Sequence, residues 1–152
     1  MAIAYLGLGT NIGNKRRNMI TAAALLAERV GDILALSGFY ETEPWGFESE
    51  HLFLNAAVKL RTSFPPLELL RITQQIEKEL GRTEKSNGAY HDRVIDIDIL
   101  LYDNEVLRLP ELTLPHPLMQ ERKFVMDPLS EIASFVVHPV LKERMIDLKE
   151  RL

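Results

Sequence analysis

The stretch Arg93–Asp103, RVIDIDILLYD, decides how the rest of the chain reads. Its branched and aromatic residues run without a breaker, and apolar side chains alternate with polar ones, which is the pattern of a half-buried β-strand. Every second side chain of a strand shares a face, so Ile95, Ile97, Ile99 and Leu101 are expected to point one way and Asp96 and Asp98 the other. At a rise of roughly 3.3 Å per residue the two aspartate Cα atoms lie ~7 Å apart, close enough for both carboxylates to converge on a cation above the strand. The same alternation also describes an acidic sheet face turned to solvent. The strand alone leaves both readings open.

Working outward, Ile3–Gly9 alternates as another strand, with Ala4, Leu6 and Leu8 against Tyr5, Gly7 and Gly9. Asn14 caps a helix whose apolar positions Met19, Ile20, Ala23, Ala24, Ala27 and Val30 recur at helical spacing, and Gly31 supplies its stop. A long β segment is expected from Asp32 to Glu43. Phe53–Arg61 alternates again, with Leu54, Ala56, Val58 and Leu60 opposite Phe53, Asn55, Ala57 and Lys59. Pro65-Pro66 opens a further helix, since proline is tolerated in a first turn, and Leu69, Thr73, Ile76 and Leu80 form its buried stripe before Gly81. The order βαββαβ predicts an α+β, ferredoxin-like fold: an antiparallel sheet with these helices on one face. A Pro-rich turn, PELTLPHP, and a C-terminal helical segment follow, with Leu141, Met145, Leu148 and Leu152 at helical spacing.

The 152 residues fit one domain, 1–152. Apolar residues make up 46% and charged ones 26%, the balance of a chain that folds rather than one that stays disordered. With 18 basic and 22 acidic residues the net charge is −4, which argues against nucleic acid or an anionic membrane as partner. There is no cysteine, so disulfide and thiolate chemistry are excluded. A strand begins within a few residues of Met1, with no basic leader before it and no run long enough to span a membrane. A cytoplasmic monomer acting on small molecules is expected.

If the helices bury Ala4, Leu6, Leu54, Val58, Ile97 and Ile99, the opposite sheet face presents Gly7, Gly9, Phe53, Asn55, Asp96 and Asp98. The glycines leave room above the backbone, Phe53 offers a flat apolar platform, and Asn55 carries both donors and an acceptor for the edge of a heterocycle. Magnesium suits the aspartates, because it is usually held by one or two carboxylates together with substrate phosphates. Zinc does not, since His51, His91, His116 and His138 are scattered. His116 sits between two prolines with Arg122 and Lys123 close behind, a basic cluster able to meet phosphate. GLGTNIG spaces its glycines as GxGxxxG and lacks GK[ST], which argues against a dinucleotide fold or phosphate loop. An RNA-binding sheet of this topology would carry an aromatic-rich motif that is absent.

With these residues assembled, the chain resembles the 6-hydroxymethyl-7,8-dihydropterin pyrophosphokinases of folate biosynthesis. The resemblance rests on LGLGTNIGN, FYETEPWG, FLNAAV, QQIEKELGR, RVIDIDILLY, LTLPHP and ERKFV, in that order along the chain. It implies transfer of pyrophosphate from ATP to the pterin hydroxymethyl group, giving AMP. It further implies that Asp96 and Asp98 hold two Mg²⁺ ions, with Arg82 and Arg93 beside them in catalysis. Phe53 and Phe124 would sandwich the pterin, Asn55 would read its edge, and Thr42, Pro44 and Trp45 would complete the pocket. Gln74, Glu77, Arg93, Ile99, Thr113, His116 and Arg122 match positions used around ATP.

The chain departs from the family pattern at His91-Asp92, Glu84 and Glu111, and two basic residues are thereby missing. Weaker ATP binding, or a substitute charge from Lys85, Lys123 or Arg108, is expected. The rival reading is a non-catalytic ferredoxin-like module that binds a small effector, in which the acids are only solvated.

Overall fold

The structure, a computed structural model, describes residues 1–43, 52–81 and 94–152. Alternation in the sequence becomes four long or medium strands: β1 (Ala2–Thr10), β2 (Gly31–Leu36), β4 (Phe53–Thr62) and β5 (Asp96–Tyr102), with the short β3 (Tyr40–Thr42) alongside. They form one antiparallel sheet in the order β2-β4-β1-β5, with β3 also pairing β4. This is the ferredoxin-like arrangement expected of βαββαβ.

The expected long segment from Asp32 to Glu43 is two strands, interrupted at residues 37–39. Ser37 explains the break. Its N–H donates to the Ala57 carbonyl, and its hydroxyl accepts from Ala57 N–H at 2.8 Å, so a side chain stands in for ladder bonds.

Helix α1 (Lys15–Arg29) is capped as expected, the Asn14 side chain accepting from Arg17 N–H. Its buried face is Met19, Ala22, Ala23 and Leu26, while Ile20 is 53% exposed and Ala24 and Ala27 face solvent. The expected stripe is therefore corrected by rotation about the helix axis. Alanines occur on several faces, so composition gave little contrast. Helix α2 (Pro66–Gly81) buries Leu69, Thr73 and Ile76, with Leu80 packed at the margin. Arg29 and Glu79 join the two helices by paired bonds of 2.6 and 2.8 Å. Together the helices cover Ala4, Leu6, Leu8, Val58, Leu60, Ile97 and Ile99.

Leu101 does not lie with these residues. The β1–β5 pairing shifts between Tyr5↔Leu101 and Leu6↔Ile99, leaving Leu100 as an extra residue. This bulge turns Leu101 to the face of Tyr5.

The C-terminal segment forms a second layer on that face. Helix α3 (Lys123–Ala133) and helix α4 (Met145–Glu150) bring Met126, Leu129, Met145 and Leu148 onto Tyr5, Ala57, Leu100 and Leu101. Leu141 and Leu152, expected in the terminal helix, lie outside α4 and are exposed. A small hairpin of β6 (Leu107–Arg108) and β7 (Thr113–Leu114) occupies the Pro-rich turn. Among the described residues no helix is long and apolar enough to cross a membrane.

Candidate active site

The second apolar layer covers only part of its sheet face. Next to it lies a cleft lined by Gly7, Gly9, Phe53, Asn55, Asp96 and Asp98 from the sheet, Thr42 and Glu43 from β3 and its end, and Arg122, Phe124 and Val125 from the start of α3. Strand register sets the arrangement: Gly9 pairs with Asn55 of β4 on one side and Asp96 of β5 on the other, and Gly7 pairs with Ala57 and Asp98.

The glycines do not simply leave space for a ligand. A methyl group on Gly9 would meet Asn55 Oδ1 at 3.3 Å and the Phe53 ring at 3.7 Å, so the bare backbone lets those two side chains lean inward. Gly7 instead lies under Leu100, whose side chain would be 3.5 Å from an added methyl.

Asn55 is buried, and its amide is held in one orientation. Nδ2 donates to Thr42 Oγ1 at 2.7 Å and more weakly to the Tyr40 carbonyl at 3.5 Å, which sets Oδ1 over Gly9 on the cleft side. Asp96 and Asp98 are half-buried while Ile95, Ile97 and Ile99 are buried, so the alternation read from RVIDIDILLYD holds across this part of the strand. Glu77 of α2 accepts from Ile97 N–H at 2.7 Å. The carboxylate thereby ties the outer edge of β5 to the helix at the residue between the two aspartates.

Arg122 is 5% exposed, and its guanidinium lies over the Phe124 ring, 5.8 Å from the centroid. His116 is anchored through its N–H to the Leu100 carbonyl, and its Nδ1 accepts weakly from Leu118 N–H at 3.4 Å. Burial, reinforced by the Arg122 charge and only partly opposed by Asp96, lowers the His116 pKa to about 4. The imidazole is neutral at physiological pH.

The other expected positions separate into groups. Gln74 is exposed on α2, outside the cleft lining, and Thr113 is half-buried on β7. Ile99 has its side chain in the core against the helices, so only its backbone can meet a ligand. Pro44, Trp45, Arg82 and Arg93 lie outside the described residues, as do Glu84, Lys85 and His91-Asp92. The hydrogen bond from the Tyr40 hydroxyl to the Glu131 carboxylate, 2.6 Å, has no signal in the sequence. The two residues lie 91 positions apart and no spacing rule joins them.

The sequence signature of the 7,8-dihydro-6-hydroxymethylpterin-pyrophosphokinase family matches residues 5–134. The chain belongs to this family. A 2-amino-4-hydroxy-6-hydroxymethyldihydropteridine pyrophosphokinase from Porphyromonas gingivalis is 57% identical over 141 residues, covering 91% of this chain and 95% of the relative. The enzyme of the same name from Aquifex aeolicus is 42% identical over 149 residues, covering 98% and 91%. Among solved structures, Plasmodium falciparum HPPK-DHPS with pteroate superposes with a TM-score of 0.79 at 17% identity, covering 99% of this chain and 44% of that one. That likeness is one of fold, and this pyrophosphokinase-family chain spans less than half of the longer protein.

The chemistry of the cleft lining fits a divalent cation. Asp96 and Asp98 offer hard oxygen donors side by side, and no group of three or more His, Cys, Asp or Glu able to hold a metal occurs among the described residues. Such an incomplete donor set suits magnesium completed by substrate phosphates and water.

Proposed function

We propose that the chain transfers the pyrophosphoryl group of ATP to 6-hydroxymethyl-7,8-dihydropterin in folate synthesis, giving AMP and the pterin diphosphate, and that the cleft between β3 and β5 is where it does so. The observation that carries the location is the shared lining: an aromatic wall, an oriented amide and two carboxylates face one space.

In this reading Phe53 and Phe124 hold the flat ring, and stacking suits both partners. Asn55 Oδ1 accepts from the N–H edge of the pterin, while Thr42 keeps the amide from turning over. Asp96 and Asp98 would hold Mg²⁺, with two ions as the working number. Bound there, magnesium supplies neutralisation of phosphate charge and acidification of the attacking hydroxyl. Arg122 donates charge-assisted hydrogen bonds to phosphate. Neutral His116 accepts at Nδ1 and so carries its proton on Nε2, which makes it a donor rather than a base.

Gln74, Thr113 and the Ile99 backbone belong to the nucleotide side of the same proposal, with Arg82 and Arg93 as its further basic groups and Pro44 and Trp45 on the pterin side. Glu77 acts there by holding β5. A cytoplasmic, monomeric enzyme using only small-molecule substrates completes the reading.

The test is product analysis. Incubation with Mg²⁺, ATP and the hydroxymethyldihydropterin is expected to release AMP only when the pterin is present. ADP, or AMP formed at the same rate without pterin, would contradict it.

A further inference from the structure

Helix α3 brings Arg122 and Phe124 to the cleft, yet its described contacts with the sheet are largely apolar, through Val125, Met126, Leu129 and Ala133. Apolar packing is non-directional and does not by itself fix a helix against a short strand. A directional contact comes from Glu131, seven residues beyond Phe124 and therefore on nearly the same helical face. Its Oε1 accepts from the Tyr40 hydroxyl at 2.6 Å and from Gly38 N–H at 3.1 Å, and Oε2 accepts from the same N–H at 3.2 Å.

These bonds act on a fragile element. β3 has three residues and, among the described residues, pairs only with β4, through Tyr40↔Asn55, Glu41↔Leu54 and Thr42↔Phe53. Tyr40 and Thr42 share one face of the strand, and both accept from the Asn55 amide, by carbonyl and by hydroxyl. A small shift of β3 would therefore turn the amide whose oxygen faces the cleft. Ser37 ties the preceding residues to β4, and Glu131 ties them to α3. The Tyr40 hydroxyl, its pKa raised to about 12 chiefly by the bond to Glu131, stays a donor across the whole working range.

We infer that Glu131 is a positioning residue for the pterin half of the site: from α3 it clamps β3 against β4 and so holds Thr42 and the Asn55 amide in the orientation that reads the substrate edge. This rests on the proposed role of Asn55. The carboxylate touches no substrate.

Steady-state kinetics of Glu131→Ala, Glu131→Gln, Tyr40→Phe and Asn55→Ala, with folding checked by circular dichroism, test the inference. Loss of one charge-assisted anchor is expected to raise the pterin KM about three- to tenfold, while the ATP KM and kcat stay within about twofold. Glu131→Gln keeps an acceptor oxygen and should restore most of the pterin affinity. Tyr40→Phe should give a smaller rise in the same parameter, and it serves if Glu131→Ala folds poorly. In an Asn55→Ala background, Glu131→Ala should add less than about twofold, since the group it positions is gone. An unchanged pterin KM in Glu131→Ala, a parallel change of both KM values, or full additivity with Asn55→Ala would overturn the positioning role. If Asn55→Ala alone leaves the pterin KM unchanged, the reading of Asn55 fails first and the inference falls with it.

Discussion

Asn55 and Asp96 stand on the two strands that flank Gly9, paired with it from opposite sides. Neighbouring strands lie about 4.8 Å apart, so the two backbones are separated by about 10 Å across a residue without a side chain. An oriented amide and a carboxylate thus look onto one hollow from its two ends. In the proposed reading, a ring held at Asn55 would reach toward the acids, which is the geometry that delivering phosphate to a substituent of that ring requires.

Stability should depend on pH through His116. Its folded pKa of about 4 lies below the usual histidine value near 6.5, so between those values the unfolded chain binds the extra proton. The contribution is full above the unfolded value and is lost as pH falls through that window. His138, also lowered by burial, acts in the same direction. Thermal melts of wild type and His116→Gln should converge as pH drops from 7 toward 4. A variant that keeps a constant offset from wild type over that range would contradict the assignment.

Glu77 should matter through β5. Removing the acceptor of Ile97 N–H frees the strand edge between Asp96 and Asp98. Glu77→Ala is expected to lower kcat about tenfold, within the range for loss of a charged acceptor, and Glu77→Gln to recover most of it. A change confined to the ATP KM would instead assign Glu77 to direct nucleotide contact.

Gly31 is required by close approach rather than by turn geometry. A methyl group there would collide with the Arg61 carbonyl oxygen, so β2 or β4 must move to admit it. Gly31→Ala should cost about 1–3 kcal/mol of stability, read from the shift of a denaturant midpoint. A midpoint equal to wild type would show that the strands separate more easily than their register implies.

The charge that the family resemblance leads one to expect at Glu84 and Glu111 should find a substitute in Arg108 rather than Lys123. Arg108 is opposite Thr113 in the β6–β7 hairpin, whereas Lys123 lies 3.2 Å from Asp127 in its own helix. Arg108→Ala should raise the ATP KM several-fold and Lys123→Ala leave it nearly unchanged. The reverse order would place the compensating charge on α3.

Much of the fold was legible because alternation on β1, β4 and β5 is strict where one face is buried, and Asn14 and the α2 stripe gave matching helix signals. The misreadings have local causes. A bulge at Leu100 reverses the face of Leu101, and Ser37 breaks a run that otherwise looks like one strand. Alanines on several faces of α1 blurred its stripe. The cover provided by α3 depends on packing between distant segments, for which periodicity has no sign. The site followed the same division: Asp96, Asp98, Asn55 and Phe53 share a face by simple alternation, whereas Glu131 meets Tyr40 only through the fold.

In the proposed reading Asp96 and Asp98 together bind the metal that seats the nucleotide. This is tested most directly by titrating a nonhydrolysable ATP analogue, with and without Mg²⁺, into wild type and into the double variant Asp96→Ala, Asp98→Ala. Magnesium should strengthen binding to wild type at least about tenfold and have little effect on the variant, provided both remain folded. Equal magnesium dependence in the two proteins would contradict the account.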